Sequence, residues 1–543
     1  MLTYVAVQDK SCRSGGGRGP HPWAALVQGC STVMVSPAPF GASFGLRASI
    51  ELRAGHASGT ATLIEGGQLV GGLHVDVTVR SCGSGVQIDW TVSNPTTAPV
   101  VVDEICIRLP DLCPSRVLER GWSVCSPVRG AAVDDVLLPV MARRDQADMG
   151  RTVRGVISHH VLVHDGGVVG FLDGRSEMGI VEAPSTRSAG SGVVAVLLLD
   201  GCELDPGVNR QLAPLWVATG DPDVLVAEFH DRWAARSNAR IPTRTPLGWW
   251  ADPALSPSAM RAGIDLASAA GLASCVVDIT AAGVRELPQL LRRAGLRPGL
   301  RVRPFSLGPW GPLAAHAVQQ SPGRPLVIDA SLVADLTDPM VLDQLRTRFR
   351  DLASAGWEQF VLEGVWLGAL VGHRREGRTR TRAQALSDGL AAVREGVGPD
   401  AVIVVADSPM GPAVGVADRS VTATLDAVGQ ATLLHRSVEH RRLWAAGCSA
   451  LNLRPEGEHR GASLRSRVDL AVATGACTWI GGDLRAYDEV SWALVAYMLD
   501  LGGAADVALQ LEGAMLELPT VVAGTSGLRS RPLELPVAHL ALR

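Results

Sequence analysis

Short apolar runs alternate with helical segments eight times between residues 245 and 483. The segments between the runs carry apolar residues at three- and four-residue spacing, as in SPSAMRAGIDLASAAG and RAQALSDGLAAVREG. Such alternation is typical of a parallel sheet with crossover helices, and eight units are enough to close a (β/α)8 barrel. The eight runs are TPLGWW, SCVVDI, GLRVRPF, QFVLEG, AVIVVAD, DRSVTAT, SALNL and CTWIGGD.

An open, doubly wound sheet is the alternative to a closed barrel. That fold usually carries a glycine-rich turn, G-x-G-x-x-G, after its first strand. The corresponding segment here, TPLGWWADPALS, has no such turn. We therefore predict a central TIM barrel over residues 241–505.

The regions on either side of the barrel have another pattern. Residues 1–240 contain short apolar or alternating runs between Gly, Pro, Ser and Asp turns, as in GVQIDWTVSN and GVVAVLLLD. This pattern predicts an N-terminal antiparallel β-sandwich. It is followed by a connecting helix, VLVAEFHDRWAARS, and a proline-containing joint, IPTRTP. Residues 506–543, rich in Leu, Val and Pro, are expected to form a short C-terminal β segment on the barrel.

The amino-acid composition excludes some classes of binding partner. The net charge of −4 is small for 543 residues, and 47% of the residues are hydrophobic. No charged field points to nucleic acid or a membrane surface, and the basic run 373–382 is interpreted as a solvated loop. The ten cysteines stand singly, without C-x-x-C spacing, which favours reduced thiols over a metal site. We expect a cytoplasmic protein without metal or cofactor, with homo-oligomerisation left open.

Catalytic groups of a TIM barrel lie at the carboxyl ends of its strands. A ring of carboxylates with tryptophans at that end suits a sugar, because aromatic faces stack on pyranose rings and carboxylates bind hydroxyl groups. Each carboxylate has an alternative role as a helix cap or arginine partner, and the two adjacent tryptophans have one in packing. The candidates for sugar binding are Trp249, Trp250, Asp278, Arg303, Trp366, Asp407, Arg454 and Asp483.

Three segments resemble glycoside hydrolase family 36 α-galactosidases (melibiases). FVLEGVWLGALVGHRREG resembles the strand that carries the catalytic nucleophile, which has a Lys-x-Asp-Phe motif in that family. SPMGPAVGVADRSVTATLD resembles the segment that leads to the acid/base aspartate. HRRLWAAGCSALNLR resembles a segment that reads roughly Trp-x-Asn-Asp-Pro-Asp in the family. The resemblance implies a retaining α-galactosidase fold with a β-sandwich before the barrel and a small β-domain after it.

The chain departs from the family at the positions that carry the chemistry. Glu363 stands where the resemblance places the nucleophilic aspartate, and Val361 replaces the lysine of that motif. Leu425 stands at the acid/base position. Asp278 is kept on the second strand, whereas Ile279 replaces the aspartate after it, and the following loop, which would carry a Gly-Asp-Trp in the family, is deleted. The Asn-Asp-Pro-Asp run is replaced by Ala446, Gly447, Cys448 and Ser449.

These replacements predict impaired hydrolysis. A retaining glycosidase needs one carboxylate as nucleophile and another, about 5 to 5.5 Å away, as acid/base. Leucine cannot donate a proton, and Glu in place of Asp moves the carboxylate; the two effects together predict a loss of roughly 10⁴- to 10⁶-fold. The first hypothesis is therefore a catalytically impaired or inactive pseudoenzyme that binds a carbohydrate or supports an assembly. The alternative is an active retaining α-glycosidase in which Glu363 is the nucleophile and the neighbouring Asp426 is the acid/base.

Overall fold

The structure is a computed structural model, and it describes fifteen segments of the chain. All statements below refer to these segments, which are residues 49–54, 57–62, 66–70, 72–126, 128–133, 155–184, 192–243, 245–278, 286–308, 313–423, 427–454, 462–475, 479–502, 508–512 and 520–524.

Two antiparallel sheets precede the barrel. Their strands within the described residues are β1 (Ser49–Ala54), β2 (Ala57–Thr62), β3 (Gly66–Val70), β4 (Leu73–Cys82), β5 (Gly85–Ser93), β6 (Val100–Leu109), β7 (Arg116–Arg120), β8 (Val128–Ala132), β9 (Gly155–His159), β10 (Val161–His164), β11 (Gly167–Phe171), β12 (Met178–Pro184), β13 (Val193–Leu204), β14 (Asn209–Gln211) and β15 (Leu215–Thr219). One sheet has the order β2-β1-β6-β13-β12-β9, and the other has the order β3-β4-β5-β15-β11-β10-β7-β8 with β14 beside β5.

The two sheets pack face to face through apolar side chains. Ile88 and Val92 of β5 belong to the same buried cluster as Ile105 of β6 and Leu197 of β13. Alternating buried positions along β4 fit a strand with one face on a core and one face in water. The antiparallel sandwich that the sequence predicts is therefore present in the described residues.

The chain then enters a helix and a region of alternating strands and helices. The helices are α1 (Pro222–Ser237), α2 (Pro257–Ala269), α3 (Leu287–Arg293), α4 (Pro339–Ser354), α5 (Arg382–Val397), α6 (Met410–Ala413), α7 (Ala427–Arg436), α8 (Ala462–Ala473) and α9 (Glu489–Gly502). Sequence signals mark several starts: Ser256 and Asp338 cap α2 and α4, each followed by a proline, and Thr381 forms a capping box with Gln384 at α5.

Eight parallel strands of the described chain form the barrel. They are β16 (Gly248–Ala251), β17 (Ser274–Asp278), β18 (Arg297–Val302), β24 (Gln359–Leu362), β25 (Val402–Val405), β26 (Arg419–Ala423), β27 (Ala445–Cys448) and β28 (Trp479–Gly482). The ladder runs in chain order from β16 to β27, and β28 pairs with β16. A parallel bridge between Leu451 and Ile480 joins the segment after β27 to β28, so the barrel is nearly closed.

One strand lies elsewhere than the sequence predicts. The seventh strand is Ala445–Cys448, four residues before the predicted SALNL run at 449–453. Small side chains have a low strand propensity, so the AAGC segment carries no local signal. Its position is set by pairing with β26 in the closed barrel.

Between β18 and α4 the chain forms small antiparallel pairs. These strands are β19 (Ser306–Leu307), β20 (Gln319–Ser321), β21 (Arg324–Pro325), β22 (Val327–Ile328) and β23 (Ser331–Val333). After the barrel, β29 (Ala508–Glu512) and β30 (Thr520–Gly524) form an antiparallel pair, in keeping with the predicted C-terminal β segment. None of the helices described combines the length and apolar character needed to cross a membrane.

The barrel interior is filled by side chains in layers. One layer consists of four side chains from the second, fourth, sixth and eighth barrel strands, which is the arrangement expected when alternate strands contribute to a layer. Trp250 and Val402 pack against it as partly buried neighbours. The layer comprises Val276, Val361, Val421 and Trp479, with Val404 in the same cluster.

The sandwich and the barrel share one buried core. Trp216 and Phe229, from β15 and α1, belong to the same apolar cluster as Phe360 and Ile403 from barrel strands. The boundaries at residues 240 and 505 stay predictions, because this core is continuous across the first of them and residues 503–507 lie outside the described segments.

Three fully buried charged residues, Arg120, Arg436 and Glu439, connect the sandwich to the barrel. We call them the junction cluster. None of the three side chains is exposed. Glu439 Oε1 accepts hydrogen bonds from Arg120 Nη2 at 2.8 Å and from Arg436 Nη1 at 3.1 Å. Arg436 Nη2 also donates to the carbonyl of Ser123 at 2.9 Å. A loop of the sandwich is thereby held against the barrel.

The basic run 373–382 is only partly the solvated loop that the sequence predicts. The side chains of Arg375 and Arg378 are exposed. In contrast, Arg374 donates to the carbonyls of Gly368 and Leu370, and buried Arg382 pairs with Asp200 of the sandwich at 2.9 Å. Arginines that the sequence pattern places in a solvated loop therefore donate hydrogen bonds to acceptors that are in place only in the folded chain.

Candidate functional site

The carboxyl ends of the second, third and fourth barrel strands bring three charged side chains together. Asp278 ends β17, Arg301 lies opposite it in register on β18, and Glu363 follows β24. Arg301 donates through Nε to Asp278 Oδ2 at 3.1 Å and through Nη2 to the same oxygen. Its Nη1 lies 3.4 Å from Glu363 Oε1. One guanidinium thus joins the two carboxylates.

Arg303 and Trp250 extend this cluster. Arg303 Nε lies 4.0 Å from Glu363 Oε2, and 61% of its side chain is exposed. The guanidinium carbon of Arg301 lies 5.9 Å from the centre of the half-buried Trp250 ring, within the range of a cation–π contact. Trp250 also meets Trp479 of the interior layer edge to face, with ring centres 5.5 Å apart. We call Trp250, Asp278, Arg301, Arg303 and Glu363 the mouth cluster.

Asp407 supports the loop that carries Glu363. Its two carboxylate oxygens accept hydrogen bonds from the backbone N–H groups of Gly364 and Val365, at 2.8 and 2.9 Å. Burial raises the pKa of Asp407 to about 6, the nearby Glu363 charge raises it further, and the two backbone donors oppose the shift. Asp407 therefore orients the segment after β24 and exchanges a proton near neutral pH.

The two adjacent tryptophans have different environments. Trp249 has no exposed surface, its indole N–H donates to the carbonyl of Gly482 at 2.8 Å, and Gly263 of α2 lies against its ring. This is the packing arrangement that the sequence left open, and it leaves no ring face for a sugar. Trp366, on a short 3-10 helix (Val365–Ala369), packs partly buried against the main core.

Arg454 and Asp483 lie together in a second group at the seventh and eighth strands. Their side chains approach to 3.8 Å. Asp483 is held more closely by Arg485, at 2.7 Å, which is the main reason that its pKa is lowered. Asp483 also accepts from the backbone N–H of Arg485 and caps a 3-10 helix, Leu484–Ala486. Both alternative roles of a strand-end carboxylate are realised at this position.

Some predicted positions lie outside the described residues. Leu425 and Asp426 fall in the gap 424–426, and Ile279 falls in the gap 279–285, which also contains the loop after β17. Ala446 and Cys448 of the replaced motif are buried on β27. The acid/base assignment to Asp426 stays a prediction.

Arg301 is a functional residue that the strand-end rule did not identify. The rule favours Arg303 of GLRVRPF because that residue follows the strand, although Arg301 makes the closer contacts. A signal was present, since a charged residue within an apolar strand of a barrel faces either the interior or a partner. Its position two residues from Gly299 and from Arg303 puts it on the interior face.

The mouth cluster offers the groups that a sugar requires. It combines carboxylate acceptors, guanidinium donors and one half-buried aromatic ring, all of them partly accessible to solvent. Both carboxylate oxygens of Glu363 face arginines, Oε1 at 3.4 Å from Arg301 and Oε2 at 4.0 Å from Arg303.

Comparison with known proteins supports this architecture. No family model matches the chain. The α-galactosidase TtGalA from Thermus thermophilus, solved in complex with stachyose, is similar with a TM-score of 0.57 at 15% identity, over 83% of this chain and 98% of that chain. The family 36 α-galactosidase AgaA from Geobacillus stearothermophilus gives 0.58 at 14% identity, over 86% and 71%.

A third similar structure is the galactosidase domain of AgaSK, an α-galactosidase-sucrose kinase. It has a TM-score of 0.58 at 10% identity, over 87% of this chain and 76% of that domain. The resemblance that the sequence motifs predict is thus confirmed at the level of structure. The chain has a glycoside hydrolase fold like that of family 36 α-galactosidases.

Proposed function

We propose that this protein binds a carbohydrate at the barrel mouth and that its capacity for glycoside hydrolysis is impaired. The observation that carries the proposal is the position of Arg301, which pairs with both Asp278 and Glu363. A carboxylate that attacks an anomeric carbon must present an available lone pair. Pairing with a guanidinium stabilises the ionised carboxylate and reduces its nucleophilicity.

The same contacts favour binding. Guanidinium and carboxylate groups that already hold one another in place lose little side-chain entropy when they bind hydroxyl groups. The exposed part of the Arg303 side chain and the half-buried Trp250 ring provide a donor and a stacking surface. The replacement of the acid/base position by Leu425 supports weak or absent hydrolysis. A role in assembly without sugar binding is the other form of this hypothesis.

Sugar binding is tested with the full chain by isothermal titration calorimetry. Galactose, raffinose and stachyose are the ligands, because the similar α-galactosidases include complexes with stachyose and raffinose. Glu363→Gln should weaken binding about 10- to 100-fold, the effect of losing a hydrogen bond to a charged group. Glu358→Gln is the matched control: it makes the same change just before β24, at the opposite end of that strand, and should leave binding unchanged.

Hydrolysis of p-nitrophenyl α-D-galactopyranoside is measured in parallel. Impaired catalysis predicts a rate at least about 10⁴-fold below that of an active α-galactosidase assayed beside it. Efficient hydrolysis that Glu363→Gln abolishes and Asp426→Asn reduces would support the alternative, an active α-glycosidase with Glu363 as nucleophile and Asp426 as acid/base. Absence of both binding and hydrolysis would refute a carbohydrate function.

A further inference from the structure

The base of the barrel interior, opposite the mouth, contains a buried arginine. Arg419 begins β26 and is 3% exposed. It lies two residues before Val421 of the interior layer, so the period-two alternation of a strand directs it into the barrel. No side-chain hydrogen bond or ion pair to Arg419 occurs within the described segments, and its Nε is buried without an acceptor.

A second unused donor lies at the same level of the barrel. Gln359 begins β24, is 1% exposed, and lies two residues before Val361 of the same interior layer. Its Nε2 is also buried without an acceptor among the described residues. Ala445, in register with Arg419 on the next strand, adds only a methyl group there. Two N–H donors therefore face the barrel base.

The carboxylates around this base are already paired with other arginines. Glu358, just before β24, pairs with Arg292 at 2.6 Å and with Arg297 at 3.9 Å. Neither of these ion pairs includes Arg419. Arg297 instead opposes the charge of Arg419, since the two guanidinium groups lie close enough to repel one another.

Asp418, like Glu358, accepts hydrogen bonds from arginines other than Arg419. Its Oδ1 accepts from Arg240 at 2.9 Å, and its Oδ2 accepts from Arg394 at 2.5 Å and from the backbone N–H of Ile403 at 2.7 Å. Burial lowers the pKa of Arg419 to about 10, but the group stays protonated at neutral pH. The charge of Asp418 partly offsets that of Arg419, but Asp418 shares this charge with Arg240 and Arg394. Arginines therefore outnumber carboxylates among the described residues at the base, and this excess of positive charge favours the binding of an anion.

We propose that the barrel base binds one small inorganic anion of the size of chloride, held by the Arg419 guanidinium and the Gln359 amide. The Arg419 guanidinium supplies a positive charge, and the Gln359 amide donates a hydrogen bond to the anion. Burial of both side chains strengthens the interaction. Because the anion binds the folded chain and not the unfolded one, it stabilises the barrel from the end opposite the sugar site. This inference does not depend on the proposed function.

The test measures the melting temperature of the full chain as sodium chloride replaces sodium gluconate at constant ionic strength. Gluconate is a much larger organic anion than chloride and serves as the reference ion. The wild type should show a saturable rise of about 2 to 4 °C. Arg419→Met, of similar length and uncharged, should show no chloride-dependent rise, and Gln359→Met should show a smaller one than the wild type. Arg292→Met, which removes an arginine paired with Glu358, is the matched control and should respond like the wild type.

Broadening of the ³⁵Cl NMR line gives a second readout. The wild type should broaden the line, and Arg419→Met should not. Equal melting temperatures of the wild type in chloride and gluconate would overturn the proposal. An equal response of wild type and Arg419→Met would also overturn it, and if Arg419→Met does not fold, an undiminished response of Gln359→Met would do so.

Discussion

The junction cluster and the mouth cluster are both built from arginines and carboxylates, but they differ in their access to water. Arg120, Arg436 and Glu439 at the junction have no exposed surface. At the mouth, the side chains of Arg301 and Glu363 are 30% and 23% exposed. Buried ions must keep their partners, because an unpaired charge cannot be solvated, whereas half-exposed ions can exchange a partner for water or ligand. The same residue types therefore have a structural role in one region and a binding role in the other.

Removal of the carboxylate that both junction arginines share should have the largest effect on stability. Glu439→Ala leaves both Arg120 and Arg436 buried without a counter-charge. We expect the free energy of unfolding to fall by about 3 to 5 kcal/mol. Urea denaturation followed by tryptophan fluorescence measures the change. Glu395→Ala is the control, since Glu395 is exposed and pairs with Arg346 on the barrel surface, and a loss of the same size in both variants would contradict the argument.

A change in pH tests the mouth side of the comparison. The pKa of Asp407 is about 6 in the folded chain, above its ordinary value of 3.8. The folded state therefore binds this proton more tightly than the unfolded state. Asp407 contributes stability that is fully present below pH 3.8 and is lost as the pH rises through 6, by about 2 to 3 kcal/mol in total.

The Asp407 contribution is isolated by comparison with Asp407→Asn. The stability of the wild type relative to this variant should fall between pH 4 and 7, as measured by urea denaturation at several pH values. Asp483→Asn provides a control of opposite sign, because Arg485 lowers the pKa of Asp483 in the folded chain. Its contribution is lost as the pH falls. A flat difference between wild type and Asp407→Asn would show that Asp407 is not perturbed.

The smallest effect is expected for an exposed ion pair between α1 and the loop before β27. Asp231 and Arg442 form a close contact, with side chains 58% and 36% exposed. Asp231→Ala should lower the free energy of unfolding by less than about 1 kcal/mol, because water screens the pair. The measurement is the urea midpoint at low and high salt. A loss near that of Glu439→Ala would mean that burial does not separate the two classes of ion pair.

The strand-end rule located most of the mouth cluster from sequence because the carboxyl ends of parallel strands converge. Asp278 and Glu363 were identified in this way, and the structure joins them through Arg301. The strand-end rule could not show that Trp249 faces α2 and Trp250 faces the barrel interior. That choice depends on which of two adjacent residues points inward in the folded barrel. A one-residue change of register reverses this choice.

Long-range contacts account for the other differences. Half-buried Arg374 donates to nearby backbone carbonyls, and buried Arg382 pairs with Asp200, which is distant in the chain. Neither kind of acceptor has a sequence signature. The seventh strand follows the pairing of its neighbours, because its Ala and Gly residues express no preference of their own.

The sequence by itself determined the repeating strand–helix pattern, the sandwich before it and the residue types at the strand ends. These features follow from hydrophobic periodicity and turn chemistry, which act over a few residues. Three features follow from the tertiary structure alone: Arg301 joins Asp278 to Glu363, two buried arginines share Glu439, and Arg419 has no hydrogen-bonded carboxylate among the described residues. Ion pairing depends on distances of a few ångströms between side chains far apart in the chain, and those distances are fixed only when the barrel closes.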